Sequence, residues 1–291
     1  MEFKKRQEYS IDRSGWLYQV SQDEFVHCSY YNPRVLTWMK GINRIEQEFD
    51  YDAPFGVVGN SFFFEEDRII KLAELINEEI VISEFLTIEN EIKVLCKRDC
   101  LHYFIERENN PNLSFAIPIN EDYRSKNGIK FNISIDELKK YWRILVHNNF
   151  LFGIINYPFK SSSIRRYQSD SEEYLEKQEL PDIYGRLVIF NNWIFYLNWE
   201  GDLISVNMYN LSYDIIKTNL EKYSNIVGID EKGMVNVQTF WNSPPVHLLS
   251  VKLPEKYINQ ANMPKLIDTK KKRIEELERK VETEQKEKEE L

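Results

Sequence analysis

The sequence predicts an all-β fold, a six-bladed β-propeller of four-stranded antiparallel blades followed by a C-terminal α-helix. Two observations predict the ring. Alternating apolar and polar runs joined by short polar turns recur six times, and they recur at a nearly constant interval. A third predicts the helix: after residue 259 the aromatic residues stop and helix-forming residues take over.

The recurring unit is a strand, a polar turn and a second strand that opens on a large apolar residue. It reads as YSIDRSGWLYQV (9–20), VVGNSFFFEE (57–66), IKVLCKRDCLHYFIE (92–106), RILVHNNFLFGII (143–155), RLVIFNNWIFYLN (186–198) and NIVGIDEKGMVNVQ (225–238). The first large residues after the turns are Trp16, Phe62, Leu101, Phe150, Trp193 and Met234, at spacings of 46, 39, 49, 43 and 41 residues. That period matches a four-stranded propeller blade, roughly 40 to 50 residues. A third alternating run follows in each interval (FVHCSY, RIIKL, LSFAI, SIRRY, LISVN, VHLLSV). A fourth follows in several, as in EEIVISEF (78–85) and GIKFNISI (128–135). Radial packing of such sheets covers their faces and leaves only short edges. Closure of the ring calls for an N-terminal strand to complete the last blade, and Phe3 to Tyr9 fits that role. The propeller is expected over residues 1–259 and a charged helix over 260–291. Three stretches, 40–50, 133–142 and 169–180, read as partly helical excursions. Evenly spaced hairpins of a β-sandwich or of two α+β domains would give the same local pattern.

The turn-WIFYLN-x-EGD-LISVN unit resembles the YWTD-like and quinoprotein-like propeller repeats common in bacteria. The resemblance spans most of residues 9–253 and consists of alternation and turn residues, so it implies an architecture and carries no active-site motif.

Composition narrows the function classes. A formal net charge of -9 disfavours an exposed nucleic-acid backbone as partner. No apolar run approaches membrane-spanning length, and the basic N-terminal stretch has no apolar segment behind it, so neither export nor a membrane is expected. Three unevenly placed cysteines, Cys28, Cys96 and Cys100, suit a reducing compartment, and the cytoplasm is the expected location.

Candidate chemistry is sparse. Cys96, Cys100 and His102 crowd like metal ligands, yet supply at most three where structural zinc takes four, and no metal or cofactor is expected. His27 and Cys28 are adjacent, and on a strand they point to opposite faces, so they do not form a nucleophile and base pair. His147 and His247 read as structural. No G-x-S-x-G, H-E-x-x-H or P-loop string occurs, and no catalytic residue is assigned. Glu65, Glu66 and Asp67, then Glu200 and Asp202, fall in corresponding loops. Carboxylates brought together from different blades are the basis of the alternative reading, a carbohydrate-active glycosidase or lyase. A structural subunit of a phage or secretion assembly is a further alternative.

The preferred reading is a non-enzymatic module that binds a protein or peptide. The connections between second and third strands, SQDE, EEDR, RENNPN, NYPFKSSS, NWEGD and NSPPV, are expected on one face of the ring. They gather Trp199, Tyr157, Trp241 and Phe159 with Arg107, Glu66 and Asp67, the composition of an interaction surface. In the tail, Ile267, Ile274 and Val281 fall at seven-residue spacing, and Leu277 lies three residues after Ile274, as a and d positions of a heptad. Lys270 and Glu284 interrupt the seam after about two heptads. This helix is expected to oligomerise the protein or to dock it into a larger assembly.

Overall fold

The computed structural model describes residues 1–9, 15–29, 34–41, 43–48, 53–58, 61–87, 93–97, 102–106, 114–118, 128–156, 161–169, 173–239 and 246–259. Strand β1 (Lys4–Tyr9) is followed by consecutive antiparallel meanders. The first sheet holds β2 (Gly15–Gln19), β3 (Glu24–Ser29), β4 (Val35–Lys40) and β5 (Asn43–Glu48). The second holds β6 (Ala53–Val58), β7 (Ser61–Glu66), β8 (Ile69–Ile76) and β9 (Glu79–Thr87). In the third are β10 (Lys93–Lys97), β11 (His102–Glu106), β12 (Ser114–Pro118) and β13 (Ile129–Phe131). Helix α1 (Ile135–Leu138) leads into the fourth sheet, β14 (Arg143–His147), β15 (Phe150–Ile155), β16 (Ser162–Gln168) and β17 (Glu176–Leu180). The fifth comprises β18 (Tyr184–Phe190), β19 (Trp193–Leu197), β20 (Leu203–Asn207) and β21 (Tyr213–Ile216). The sixth is β22 (Asn225–Ile229), β23 (Met234–Thr239) and β24 (Val246–Lys252), completed at its outer edge by β1. The chain divides into two units, residues 1–253 and 254–291, and the second opens with helix α2 (Glu255–Ile258).

The architecture of the first unit is a β-propeller of four-stranded antiparallel blades. Innermost strands β2, β18 and β22 lie side by side, and so do β2 and β6. The middle strands therefore have neighbours on both faces, which explains why they read as apolar runs. Phe62, Phe63 and Phe64 are consecutive on β7 and all fully buried, and every residue of β20 is buried. Burying each such aromatic side chain contributes on the order of 2 to 3 kcal/mol. Two of the outermost strands face water and are charged instead. β5 reads NRIEQE and β17 reads EKQEL, which keeps their unpaired edges from recruiting other chains.

Sheet-to-sheet contact is described at five junctions. Tyr18, Cys28 and Trp38 of the first sheet pack on Phe62 and Phe64 of the second. Phe104, Ala116 and Phe131 of the third meet Ile144, Leu151 and Tyr167 of the fourth. Phe152 and Ile164 of the fourth meet Ile194 and Tyr196 of the fifth. Asn225 of the sixth accepts a bond from the backbone of Arg186 in the fifth, at 2.9 Å. Leu17 and Phe25 of the first pack on Val227 and Leu248 of the sixth, which brings the two ends of the propeller chain together.

Turn chemistry fixes the hairpins. Asp67-Arg68 and Asn77-Glu78 hold both turn residues at positive φ, the twist that two-residue hairpins require. Asn148 and Asn191 take the same left-handed conformation, which asparagine tolerates better than most residues. Gly201, at φ 84°, lies so close to the Leu220 carbonyl that a Cβ would sit 2.7 Å from it.

Several expectations need correction. The stretch 9–20 is not a hairpin: Tyr9 ends β1, which pairs with β24, and Trp16 lies on the innermost strand of the first sheet. The counterpart of Phe62 is therefore Phe25, so the interval there is 37 residues and not 46. The loop SQDE accordingly joins first and second strands, at the opposite end of the sheet from the other five connections. Of the three partly helical stretches, 133–142 does carry α1, capped by the Ser134 side chain on the Glu137 N–H at 3.1 Å. The other two supply β5 and β17, where pairing with a neighbouring strand overrides helix propensity. After the propeller, the helix described is α2; the heptad positions Ile267, Ile274, Leu277 and Val281 lie outside the described residues.

Candidate functional site

The connections between second and third strands, together with those leading into each first strand, emerge at one end of the sheets. Trp199, in the second-to-third connection of the fifth sheet, lies on this face as expected and is half-buried. Its ring is 4.6 Å from that of Tyr184, at the start of β18, and 5.2 Å from that of Tyr223, just before β22. Tyr184 and Tyr223 complete the triangle at 5.7 Å. The crossing angles of 44°, 76° and 90° are tilted or edge-to-face arrangements that aromatic quadrupoles favour. Tyr223 is 51% exposed and has φ 68°, a left-handed conformation uncommon for a bulky residue. Neither Tyr184 nor Tyr223 is conspicuous in the sequence, since each stands outside the alternating runs.

The same face carries a concavity of about 470 Å³ at the fourth sheet. Its wall comes from the segment between α1 and β14 (Lys140, Tyr141, Trp142), from the end of β15 (Ile155, Asn156) and from Arg165 on β16. Gly153 makes room for it: a Cβ there would lie 2.6 Å from the Tyr141 ring. Tyr141 thus packs flat on β15, and its hydroxyl bonds to that of Tyr167. Burial and that bond push the Tyr141 phenol well above its ordinary range. Trp142 is 37% exposed, and the Arg143 guanidinium stacks on its ring at 4.2 Å. Asn156 bridges the two features. Its amide donates to the Ile183 carbonyl at 3.2 Å, beside Tyr184, and its side-chain oxygen accepts from Ser162 at 2.8 Å.

The other expected residues are distributed as follows. Glu66 ends β7 and is held by Lys71, and Asp67 is exposed in the following turn. Glu200 pairs with Lys222 at 3.2 Å and Asp202 with Lys217 at 2.7 Å, so these carboxylates are each tied to a lysine. Tyr157, Phe159, Trp241 and Arg107 lie outside the described residues, as do Cys100 and the side chains of Cys96 and His102. Among the described residues no cluster of three metal-ligating side chains occurs, and no helix is long and apolar enough to cross a membrane.

His27 and Cys28 are both buried on β3 and face opposite sides. Cys28 packs with Tyr18 and Trp38, and burial pushes its thiol well up. His27 pairs across the sheet with Leu17 and Thr37 on the other side, its Nε2 buried without a hydrogen bond. Burial, aided by Arg44 and opposed by Glu46, lowers its pKa to about 4. Burial also lowers the pKa of His147, against a hydrogen bond with Asn192. Near the axis, Arg186 is 5% exposed and spans three sheets. Its Nη1 donates to the carbonyls of Leu17 at 3.1 Å and Val227 at 3.4 Å, and Tyr18 caps the guanidinium at 3.8 Å.

No known family profile matches the chain, and no curated protein matches it. Among solved structures it is similar to BamB from Moraxella catarrhalis, with 9% identity over 84% of this chain and 88% of that one, at a TM-score of 0.34. It is also similar to the β-propeller domain of Cps50 (Swd1) from Myceliophteria thermophila, with 7% identity over 86% of this chain and 100% of that one, at 0.46. Kluyveromyces lactis Hsv2 aligns with 10% identity over 77% of this chain and 71% of that one, at 0.37. The fold assignment rests on the order and register of the sheets themselves.

Proposed function

We propose that the chain is a cytoplasmic, non-enzymatic interaction module whose six sheets close into a six-bladed ring. It binds a protein or peptide through the face that carries Trp199, and residues 260–291 oligomerise it or dock it into a larger assembly. The observation that supports this reading most is the presence of two aromatic groups on that face. The Tyr184–Trp199–Tyr223 triangle and the Trp142 concavity are linked through Asn156. Aromatic side chains that present a ring to water beside an arginine supply large, rigid contact area at low entropic cost. Six sheets and the pairing of β1 with β24 support the closed ring.

The test is affinity capture from the native source, read by mass spectrometry, with the wild-type chain, a Trp199→Ala/Tyr223→Ala variant and an opposite-face control, Glu231→Ala. A partner that wild type and control retain and the aromatic variant loses is the expected result. A partner set that all three retain equally would remove this face from the binding function.

A further inference from the structure

The charge of the Trp142 concavity is opposite to that of the chain. The whole protein carries a formal charge of -9, yet the lining residues that ionise are Glu137, Lys140 and Arg165, with Arg143 stacked behind Trp142. Glu137 is spent on Lys140, three residues along the same turn. The Arg165 guanidinium lies over the Tyr174 ring at 5.0 Å, and its Nε is buried with no hydrogen-bond partner. Directly across the sheet from Arg165 stands Lys177, whose own charge is met by Glu179 at 2.7 Å. The next residue on β16 shows the contrast: Arg166 pairs with Glu176 at 3.1 Å and donates to the Met208 carbonyl at 3.1 Å. Arg165 is thus a cation without a carboxylate partner among the described residues, beside an apolar wall of Trp142 and Ile155, in a concavity whose volume suits a ligand.

We propose that this concavity receives a carboxylate side chain from an acidic segment of the partner, with Arg165 pairing the carboxylate and Trp142 and Ile155 packing on its methylene stem. The proposal rests on the interaction reading above and names the partner's chemistry at that face. A guanidinium meets a carboxylate with short, charge-assisted hydrogen bonds, and the partial burial here strengthens them over a fully solvated pair. The surrounding negative charge makes the site selective: an acidic segment gains only where this local excess of cation meets it.

The experiment is isothermal titration calorimetry of the full chain with N-acetyl-hexaglutamate amide, its hexaglutamine counterpart and inorganic phosphate, at low and at physiological salt. Hexaglutamate is expected to bind, hexaglutamine not, and added salt to weaken binding. Arg165→Gln should weaken hexaglutamate at least tenfold, Trp142→Ala several-fold, and Arg165→Lys less than Arg165→Gln. Equal affinity for the two peptides, or affinity independent of salt in the wild-type chain, overturns the proposal even where Arg165→Gln does not fold. Phosphate that displaces hexaglutamate at equal concentration identifies a free-oxyanion site and overturns the peptide assignment. If Trp199→Ala/Tyr223→Ala loses the natural partner and Arg165→Gln retains it with full affinity, the interaction reading stands and the carboxylate pocket falls.

Discussion

Replacing His27 by glutamine should flatten the acid limb of the stability curve. His27 is 1% exposed, and its pKa in the folded protein is about 4 against 6.5 for the free side chain, chiefly through burial. Above pH 6.5 the imidazole is neutral in both folded and unfolded chains, and its ionisation contributes nothing. As pH falls from 6.5 towards 4, the unfolded chain takes up a proton that the folded chain refuses, and stability is lost; below about 4 both are protonated and the loss levels off. At 1.36 kcal/mol per pKa unit, the full loss is about 3 kcal/mol, of which about 2 kcal/mol has accrued by pH 5. Urea unfolding of wild type and His27→Gln at pH 7.5, 6, 5 and 4.5 measures this as a difference between the two proteins, so that shared acid effects cancel. The gap should swing in favour of the variant by about 2 kcal/mol between pH 7.5 and 5. Parallel curves would refute the reasoning. So would a histidine NMR titration in which His27 protonates near its ordinary value, an assignment made simple by the presence of four histidines.

Three further outcomes are expected. Gly153→Ala drives a methyl into the Tyr141 ring and should cost about 2 kcal/mol in urea unfolding, while Gly153→Ala/Tyr141→Leu should recover part of that loss. Arg186→Ala removes the link between the fifth, sixth and first sheets and leaves the Leu17 and Val227 carbonyls without it; a loss of about 3 kcal/mol or more is expected by thermal unfolding, against little change for exposed Lys232→Ala. Removal of residues 264–291 should lower the mass seen by light scattering if the heptad seam self-associates, and an unchanged mass would leave docking as its role.

Much of the architecture was legible because strand alternation and turn chemistry are local. The Asn191-Asn192 turn and Glu200-Gly201-Asp202 mark the two ends of β19, and the completing role of the N-terminal strand followed from the edge problem every ring must solve. The first repeat was misread because β1 and β2, adjacent in sequence, imitate a hairpin although they belong to different sheets. EKQEL has helical composition, and its pairing with β16 is a tertiary fact that composition does not carry. The position of Trp199 in the connection after β19 was legible from its flanking turn residues. The concavity was missed because its wall comes from a segment with helical pattern followed by Tyr141-Trp142. The one local signal was Gly153 in the middle of an apolar strand, a mark of close approach by another group.

The pairing of β1 with β24 also sets an order of events during synthesis. Of the propeller's strands, the one made first is the one whose partner is made last: Lys4–Tyr9 leaves the ribosome with no edge to join until Val246–Lys252 follows. At roughly 5 to 20 residues per second, that interval is on the order of tens of seconds. Throughout it the nascent propeller carries an unmatched strand at one end and a growing open stack at the other. The ring is therefore completed after translation of the propeller has ended, and a chaperone that shields Lys4–Tyr9 during that wait would raise the yield of closed protein.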